Sequence, residues 1–206
     1  GNRKIDIENQ KDIKTISGGV TGDAFGIYAN NALALSDSTV NLTSTSNIDL
    51  KGAGKVIGVY LKKTDVTNAG TIKAESASGG SSIGIYGDES TSTSITGSIE
   101  VTGGSGTGIY LKNSNMSSGA AVKVDGVDTG IGMYVEATAG NTSSGTNTNT
   151  ISIGDNVTGM YGIGAAAGNT GTITNSGTIQ SLPISADKAI GMYVGVHGSG
   201  VNTGNI

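Results

Sequence analysis

The chain has 206 residues and a net charge of −4, with 36 glycines, seven tyrosines, no cysteine and no tryptophan. This acidic balance, without any basic cluster, argues against nucleic acid and against anionic membrane surfaces as partners. The absence of cysteine excludes a disulfide scaffold, cysteine metal sites and cysteine catalysis. Because only 4% of the residues are aromatic, a narrow, elongated core of small aliphatic side chains fits better than a spherical one.

Every tyrosine ends the same four-residue motif, which we call the tetrad: Phe, Ile or Thr, then Gly, then Ile, Val or Met, then Tyr. The tyrosines are separated by 32, 26, 24, 24, 27 and 32 residues. A period of about 20–50 residues indicates a stack of structural repeats. The seven copies, in chain order, are Phe25-Gly26-Ile27-Tyr28, Ile57-Gly58-Val59-Tyr60, Ile83-Gly84-Ile85-Tyr86, Thr107-Gly108-Ile109-Tyr110, Ile131-Gly132-Met133-Tyr134, Thr158-Gly159-Met160-Tyr161 and Ile190-Gly191-Met192-Tyr193.

Each unit is predicted to contain one strand at its tetrad and another strand before it, which we call the second strand. The chain opens with an alternating strand pattern at Lys4-Ile5-Asp6-Ile7, and a second strand follows at Thr15-Ile16, whose isoleucine is twelve residues before Tyr28. An Asn-x-Gly-Thr turn often introduces this second strand, as at 68–71, 169–172 and 175–178, and its Asn and Gly are expected to supply turn geometry that includes positive φ. The later copies of the second strand contain Ile48, Ile72, Ile99, Val122, Ile151 and Ile179.

A third, weaker segment follows each tyrosine, for example Leu61-Lys62-Lys63. Variation in repeat length concentrates in this segment. Its two long versions, 30–47 and 137–149, are predicted to be protruding loops.

A unit of roughly 24 residues with two or three short strands predicts one coil of a right-handed parallel β-helix, whose coils stack about 4.8 Å apart. The handedness comes from precedent among such folds and not from the residues. We therefore expect an all-β solenoid of seven to eight coils, with residues 1–206 forming a single segment of a longer protein.

Strand alternation predicts which side chains fill the solenoid. In the tetrad it assigns Ile131, Met133 and the following Val135 to the core, and it assigns Gly132 and Tyr134 to the outer face. The tyrosines of successive coils would then form an aromatic ladder, with the glycine leaving room for each ring to lie flat. In the second strand the outward residues alternate in charge up the stack, which predicts ion pairs between coils at Asp49, Lys73, Glu100 and Lys123.

The tetrads, the Asn-x-Gly-Thr-Ile units and the long Ser/Thr/Asn/Gly-rich segments resemble the passenger domains of large type V autotransporter adhesins, most closely the fusobacterial kind. The resemblance covers Thr15 to Ile206. It implies a signal peptide upstream, a C-terminal barrel domain in the outer membrane, and a place on the bacterial cell surface. It also implies a role in virulence and cell adhesion, as adhesin or adhesin stalk, with a protein or glycan of a host cell or of another bacterium as the partner. No binding residue of the family can be transferred to a position of this chain.

The tyrosine ladder is the candidate binding surface, because exposed aromatic residues recognise sugars and proteins. A copy in every coil favours a structural role instead, since a binding site is usually local. The members of the ladder are Tyr28, Tyr60, Tyr86, Tyr110, Tyr134, Tyr161 and Tyr193.

No catalytic residue, metal site or cofactor is predicted. His197 is the one histidine, and it lies in a turn-like stretch. Acids recur before the tetrads, where we expect them to cap turns, with a Ca²⁺ site as the alternative; these are Asp23, Asp128, Asp155 and Asp187. The alternative function is a polysaccharide-active β-helix enzyme of the lyase or glycosidase type, which would need several acids and aromatics in one cleft.

Overall fold

The computed structural model describes residues 6–15, 19–31, 38–138, 140–183 and 188–206. These residues form 22 strands and no helix, so the predicted all-β parallel solenoid is confirmed. Among them no helix has the length and apolar character of a membrane span.

The strands, numbered in chain order, belong to three parallel sheets. Sheet A contains β1 (Asp6–Asn9), β4 (Thr39–Leu42), β7 (Asp65–Asn68), β10 (Thr91–Ile95), β13 (Asn115–Ser118), β16 (Thr142–Asn147), β19 (Thr170–Asn175) and β22 (Gly198–Asn202). Sheet B contains β2 (Ile13–Lys14), β5 (Asn47–Gly52), β8 (Thr71–Ser76), β11 (Ser98–Thr102), β14 (Ala121–Val124), β17 (Thr150–Ile153) and β20 (Thr178–Ser181). Sheet C contains β3 (Ala24–Asn30), β6 (Lys55–Lys62), β9 (Ser81–Asp88), β12 (Ser105–Lys112), β15 (Thr129–Ala137), β18 (Val157–Gly164) and β21 (Ala189–Val194).

The chain visits sheets A, B and C in turn, and each strand pairs with the strand three positions later. The seven described strands of sheet C make about six full turns between Tyr28 and Tyr193, with partial turns at both ends, so the predicted coil number of seven to eight is slightly high. The third segment as predicted, for example Leu61-Lys62-Lys63, is the end of a sheet C strand and the residue after it; the sheet A strand follows it, here as β7. The handedness stays a prediction.

Sheet B confirms most of the predicted second strands. Its central isoleucine or valine occupies one register position through the stack, at Ile13, Ile48, Ile72, Ile99, Val122, Ile151 and Ile179. The first coil is an exception, because Ile13 pairs with Ile48, whereas Thr15-Ile16 was predicted. Ile16 lies outside the described residues. The predicted opening strand is β1 over its described part, and residues 4–5 are outside.

The two predicted loops are not loops over their whole length. The interval 30–47 contains β4, and 137–149 contains β16, and both strands pair on both sides within sheet A. Residues 32–37 and residue 139 lie outside the described part.

The predicted orientation of the tetrad residues, inward or outward, is partly wrong. A Cβ atom on Gly132 would lie 2.5 Å from Cγ2 of the core residue Ile151, so the glycine faces the interior. Met133 and Val135 are buried in the core as predicted. Ile131 faces outward, because it lines an open groove with Tyr161. Since Gly132 and Met133 both face inward, the pleat alternation breaks between them, and the outer face carries Ile131 and Tyr134.

The corner between sheets A and B, the A–B corner, is tied by an asparagine ladder that is buried at Asn147 and Asn175. The Nδ2 atom of Asn147 donates to Oδ1 of Asn175, and Asn175 donates in the same way to Asn202, both at 2.8 Å. The glycine of Asn-x-Gly-Thr is required by close packing rather than by positive φ, because a Cβ on Gly177 would collide with the carbonyl oxygen of Asn149. The Asn-x-Gly-Thr sequence at 169–172 was predicted to introduce a second strand, which would belong to sheet B. That prediction is wrong, because the sequence leads into β19 of sheet A.

The corner between sheets C and A, the C–A corner, carries a second ladder made of buried serines. The backbone N–H of Ser90 donates to Oγ of Ser114 at 3.0 Å, and that of Ser114 donates to Oγ of Ser143 at 3.1 Å. A residue with positive φ precedes these turns, for example Glu89 (φ 51°) and Asn113 (φ 50°). Side chains therefore bond one coil to the next at both of these corners.

Candidate functional site

The predicted tyrosine ladder is present on the outer face of sheet C. Parallel pairing puts each tyrosine directly beside the tyrosine of the next coil, from Tyr28 through to Tyr193. The ring centroids of neighbours are 4.6–5.2 Å apart. A continuous file of seven touching rings runs along this face.

The rings adopt two packing geometries. Tyr28, Tyr60 and Tyr86 are parallel, with interplanar angles of 5°, as the stacking prediction requires. From Tyr86 onward the neighbours meet edge to face, at angles of 61–79°. Both geometries are favourable for aromatic pairs and contribute about 0.5–1.5 kcal/mol each beyond area burial.

A second column runs beside the tyrosines on the same outer face, and we call it the flanking column. Its members are the first residues of the tetrads, which pair in register: Phe25, Ile57, Ile83, Thr107, Ile131, Thr158 and Ile190. Ile57 and Ile83 are covered, yet neither belongs to the interior core. Phe25 touches Tyr28 edge-on, at a centroid distance of 6.4 Å. The outer face of sheet C therefore carries two adjacent columns, the tyrosines and a flanking column that is apolar except at Thr107 and Thr158.

Exposure along the ladder is uneven. Tyr28 and Tyr193 at its ends are 56% and 50% exposed, and the tyrosines between them are half-buried. Burial raises the pKa of Tyr60 and Tyr134, and it raises the pKa of Tyr86 to about 12. The phenols in the middle of the ladder therefore stay protonated to a higher pH than a free tyrosine does.

The centre of the ladder has a carboxylate partner. The hydroxyl of Tyr110 donates to Oε2 of Glu136 at 2.5 Å. Burial, and then this hydrogen bond, raise the pKa of Tyr110. Glu136 lies two residues after Tyr134 on the same face, and strand alternation alone would have located it there.

A shallow groove of about 360 Å³ opens beside the later tyrosines. Its wall combines hydroxyls with apolar groups from three coils, including Ser105, Thr107, Thr129, Ile131, Thr158 and Tyr161. Hydroxyl donors and acceptors next to an aromatic ring suit a sugar or a polar peptide. Of the predicted candidate tyrosines, Tyr161 is the one that lines this groove.

Two of the acids before the tetrads, Asp23 and Asp128, accept hydrogen bonds from the backbone of other coils, whereas capping of their own turns was predicted. Oδ1 of Asp23 accepts the backbone N–H of Lys55 at 2.7 Å, and Oδ2 of Asp128 accepts that of Gly79 at 3.3 Å. Asp155 also has a polar interaction, and Asp187 lies outside the described residues. Within the described ranges, no group of three His, Asp or Glu side chains is arranged to hold a metal ion. His197 is exposed in the turn before β22, with φ at 54°.

The predicted charge alternation on sheet B is present in register at Asp49, Lys73, Glu100 and Lys123. Nζ of Lys73 lies 3.2 Å from Glu100, and Nζ of Lys123 lies 3.6 Å from it on the other side. Asp49, Glu75 and Glu100 line one shallow groove of about 330 Å³, which no described aromatic side chain lines. Two of these acids form ion pairs with lysines. Glu100 pairs with Lys73 and Lys123 as described, and Glu75 pairs with Lys51 at 2.5 Å.

Comparison of the chain with protein-family models, with curated proteins and with solved structures finds no match. The fold and its ladders define the class, which is a parallel β-solenoid repeat protein. Any function beyond that class rests on the surfaces described above.

Proposed function

We propose that this chain is a non-catalytic, surface-exposed segment of an autotransporter passenger and serves as an adhesin or adhesin stalk. The observation that supports this is the continuity of coil-to-coil contacts: the tyrosine, asparagine and serine ladders join successive coils inside and outside the solenoid. A rod whose neighbouring units are tied at several points resists bending. Such a rod is suited to hold a binding region away from a cell.

The length of the rod agrees with a spacing role. At about 4.8 Å per coil, the six turns between the first and last tyrosine span roughly 29 Å. Further segments in series would lengthen the rod in proportion and would hold a binding region at its tip further from the cell. The resemblance to adhesin passengers supplies the expected setting, which is the outside of a bacterium.

The expected partner is a protein or glycan on a host cell or on another bacterium. The groove beside Tyr161 is the place on this segment that is best suited to such a partner, because an aromatic ring and several hydroxyls converge there. The other ladder tyrosines are in contact on both sides, or half-exposed at an end, and we assign them to stacking.

A bead-adhesion assay tests the proposal. Beads coated with this chain, and beads coated with a longer passenger polypeptide that contains it, are added to host cells and to partner bacteria. Adhesion of the longer polypeptide alone assigns a stalk role to this segment, and adhesion of both assigns an adhesive one. If neither adheres, the adhesin proposal fails.

Two tyrosine variants separate stacking from binding. We expect Tyr110→Ala to lower the melting temperature and to leave adhesion unchanged, because its ring is enclosed between two others. Where the segment itself adheres, Tyr161→Ala is expected to weaken adhesion. Lost adhesion with unchanged melting in Tyr110→Ala would contradict the structural assignment of the ladder.

One observation favours the alternative, a polysaccharide-active enzyme: Asp49, Glu75 and Glu100 surround a single groove on sheet B. The lysine partners of Glu75 and Glu100 oppose it, since a general acid must carry a proton before the reaction. The test is incubation of the purified chain with polysaccharides. If oligosaccharides are released, and Glu100→Gln abolishes their release, the enzyme becomes the favoured function over the adhesin.

A further inference from the structure

The tyrosine ladder is continuous at the level of ring contacts. Each of the seven rings touches the next, at centroid distances of 4.6–5.2 Å, from Tyr28 to Tyr193. Aromatic rings in van der Waals contact exchange single electrons readily. The chain has no tryptophan and no cysteine, so tyrosine is its most easily oxidised side chain in one-electron steps. The methionines directly behind the ladder, Met133 and Met160, are sealed in the core.

The described tyrosines differ in access. Tyr28 and Tyr193 are half-exposed, whereas Tyr110 is half-buried and lies three ring contacts from each of them. An electron taken from Tyr28 or from Tyr193 can therefore be replaced from Tyr110 by three short steps.

The hydrogen bonds of the phenols also differ between end and centre. Loss of an electron makes a phenolic O–H strongly acidic, so the radical is most stable where a base already accepts that proton. At Tyr110 the hydroxyl donates to the carboxylate of Glu136 at 2.5 Å. At Tyr28 the phenolic oxygen instead accepts a hydrogen bond from Nδ2 of Asn30 at 3.4 Å. Of the seven tyrosines, Tyr110 is the one whose hydroxyl donates to a carboxylate among the described residues.

We propose that the tyrosine ladder is a one-electron relay that moves an oxidising equivalent along its contacting rings to Tyr110, where Glu136 accepts the proton. The oxidant is a one-electron acceptor of the class of high-valent metal complexes, and it gains one electron from a solvent-exposed ring of the ladder, such as Tyr28 in this chain. The rings in between pass that electron outward and return to neutral phenols. In the net reaction the O–H bond of Tyr110 breaks, an O–H bond forms on Glu136, and the neutral tyrosyl radical of Tyr110 remains.

The relay is tested with a photo-oxidant at one end. Because the chain has no cysteine of its own, Asn30→Cys gives a unique attachment point for a ruthenium polypyridyl complex, two residues from Tyr28. A flash with an external quencher converts the complex to its Ru(III) form, which oxidises the nearby ring. The radical is captured with a nitroso spin trap, and mass spectrometry of the peptides identifies the tyrosine that carries the adduct.

Matched phenylalanine variants show whether the electron travels through the ladder. We expect the adduct on Tyr110 in the labelled chain and in Tyr134→Phe, which alters the ladder beyond Tyr110. In Tyr86→Phe, which interrupts the path, the adduct on Tyr110 is expected to be lost and to appear nearer the label. Phenylalanine preserves the ring, and circular dichroism melting checks that each variant folds.

Two results would overturn the relay: an adduct that stays on Tyr28 in the labelled chain, or an adduct on Tyr110 that persists in Tyr86→Phe. The proton acceptor is tested separately with Glu136→Gln, which removes the base and keeps the shape. In that variant we expect the adduct to spread over several tyrosines. If Tyr110 remains the single trapping site, the role of Glu136 is refuted.

Discussion

Replacement of the tetrad glycine in a central coil tests the packing of the solenoid. In Gly132→Ala the new methyl group would lie 2.5 Å from the carbonyl oxygen of Gly159 and 2.5 Å from Cγ2 of Ile151, where ordinary contacts are 3.4–4 Å. Both neighbours must move by about 1 Å, and one of them is backbone of the next coil. Overpacking of this kind costs about 1–3 kcal/mol. The lower chain entropy of alanine in the unfolded state offsets about 0.4–1 kcal/mol of this cost.

We therefore expect Gly132→Ala to lower the free energy of unfolding by about 1–2 kcal/mol, or to lower the melting temperature by roughly 2–8 °C for a chain of this size. Urea and thermal unfolding followed by circular dichroism measure it. The matched control is Gly22→Ala, because a Cβ at Gly22 meets no atom within 4 Å. Equal stability of the two variants would refute the inward orientation and would return Gly132 to the outer face.

Three further perturbations address the ladders. Asn175→Ala removes a buried amide that bonds both ladder neighbours, and it should lower the free energy of unfolding, measured in urea, by about 1–3 kcal/mol. A smaller loss would contradict a stabilising role for the asparagine ladder. Lys73→Glu replaces an ion pair with Glu100 by repulsion, and it should lower the free energy of unfolding by up to about 1 kcal/mol. This loss should shrink in high salt because salt screens exposed charges, and a loss that does not depend on salt would contradict an electrostatic origin. Tyr86 has its pKa raised from 10.0 to about 12, so the unfolded chain releases this proton first and stability should fall between those pH values. Urea midpoints across that range should show a smaller fall in Tyr86→Phe, and an equal fall would contradict the assignment.

The stacking of coils could be predicted because it depends on period alone. Tyrosines at a near-constant spacing located sheet C, and the isoleucines before them located sheet B from Ile48 onward. The same extrapolation missed Ile13 in the first coil, because the connection from sheet B to sheet C is longer there. Spacing from one landmark predicts a strand only where the intervening corner keeps its length.

The faces of the tetrad could not be predicted by alternation because the strand is not regular there. Period-2 reasoning assumes an unbroken pleat, whereas Gly132 and its successor Met133 both face inward. The asparagine ladder was missed for a different reason. Asn147, Asn175 and Asn202 become neighbours only through the register between coils, which local sequence does not display. The signal that could have located them is their shared position before the sheet B strands.

The alternating charges on sheet B bear on how accurately the chain assembles. A stack of nearly identical coils can mispair by omitting one coil, because the apolar columns would still match. Omission of a coil would place Lys73 beside Lys123, and Asp49 beside Glu100, since these residues alternate along one register position. Like charges directly opposite are destabilising. The column thus penalises a skipped coil during folding, and it distinguishes the correct neighbour from the next nearly equivalent one.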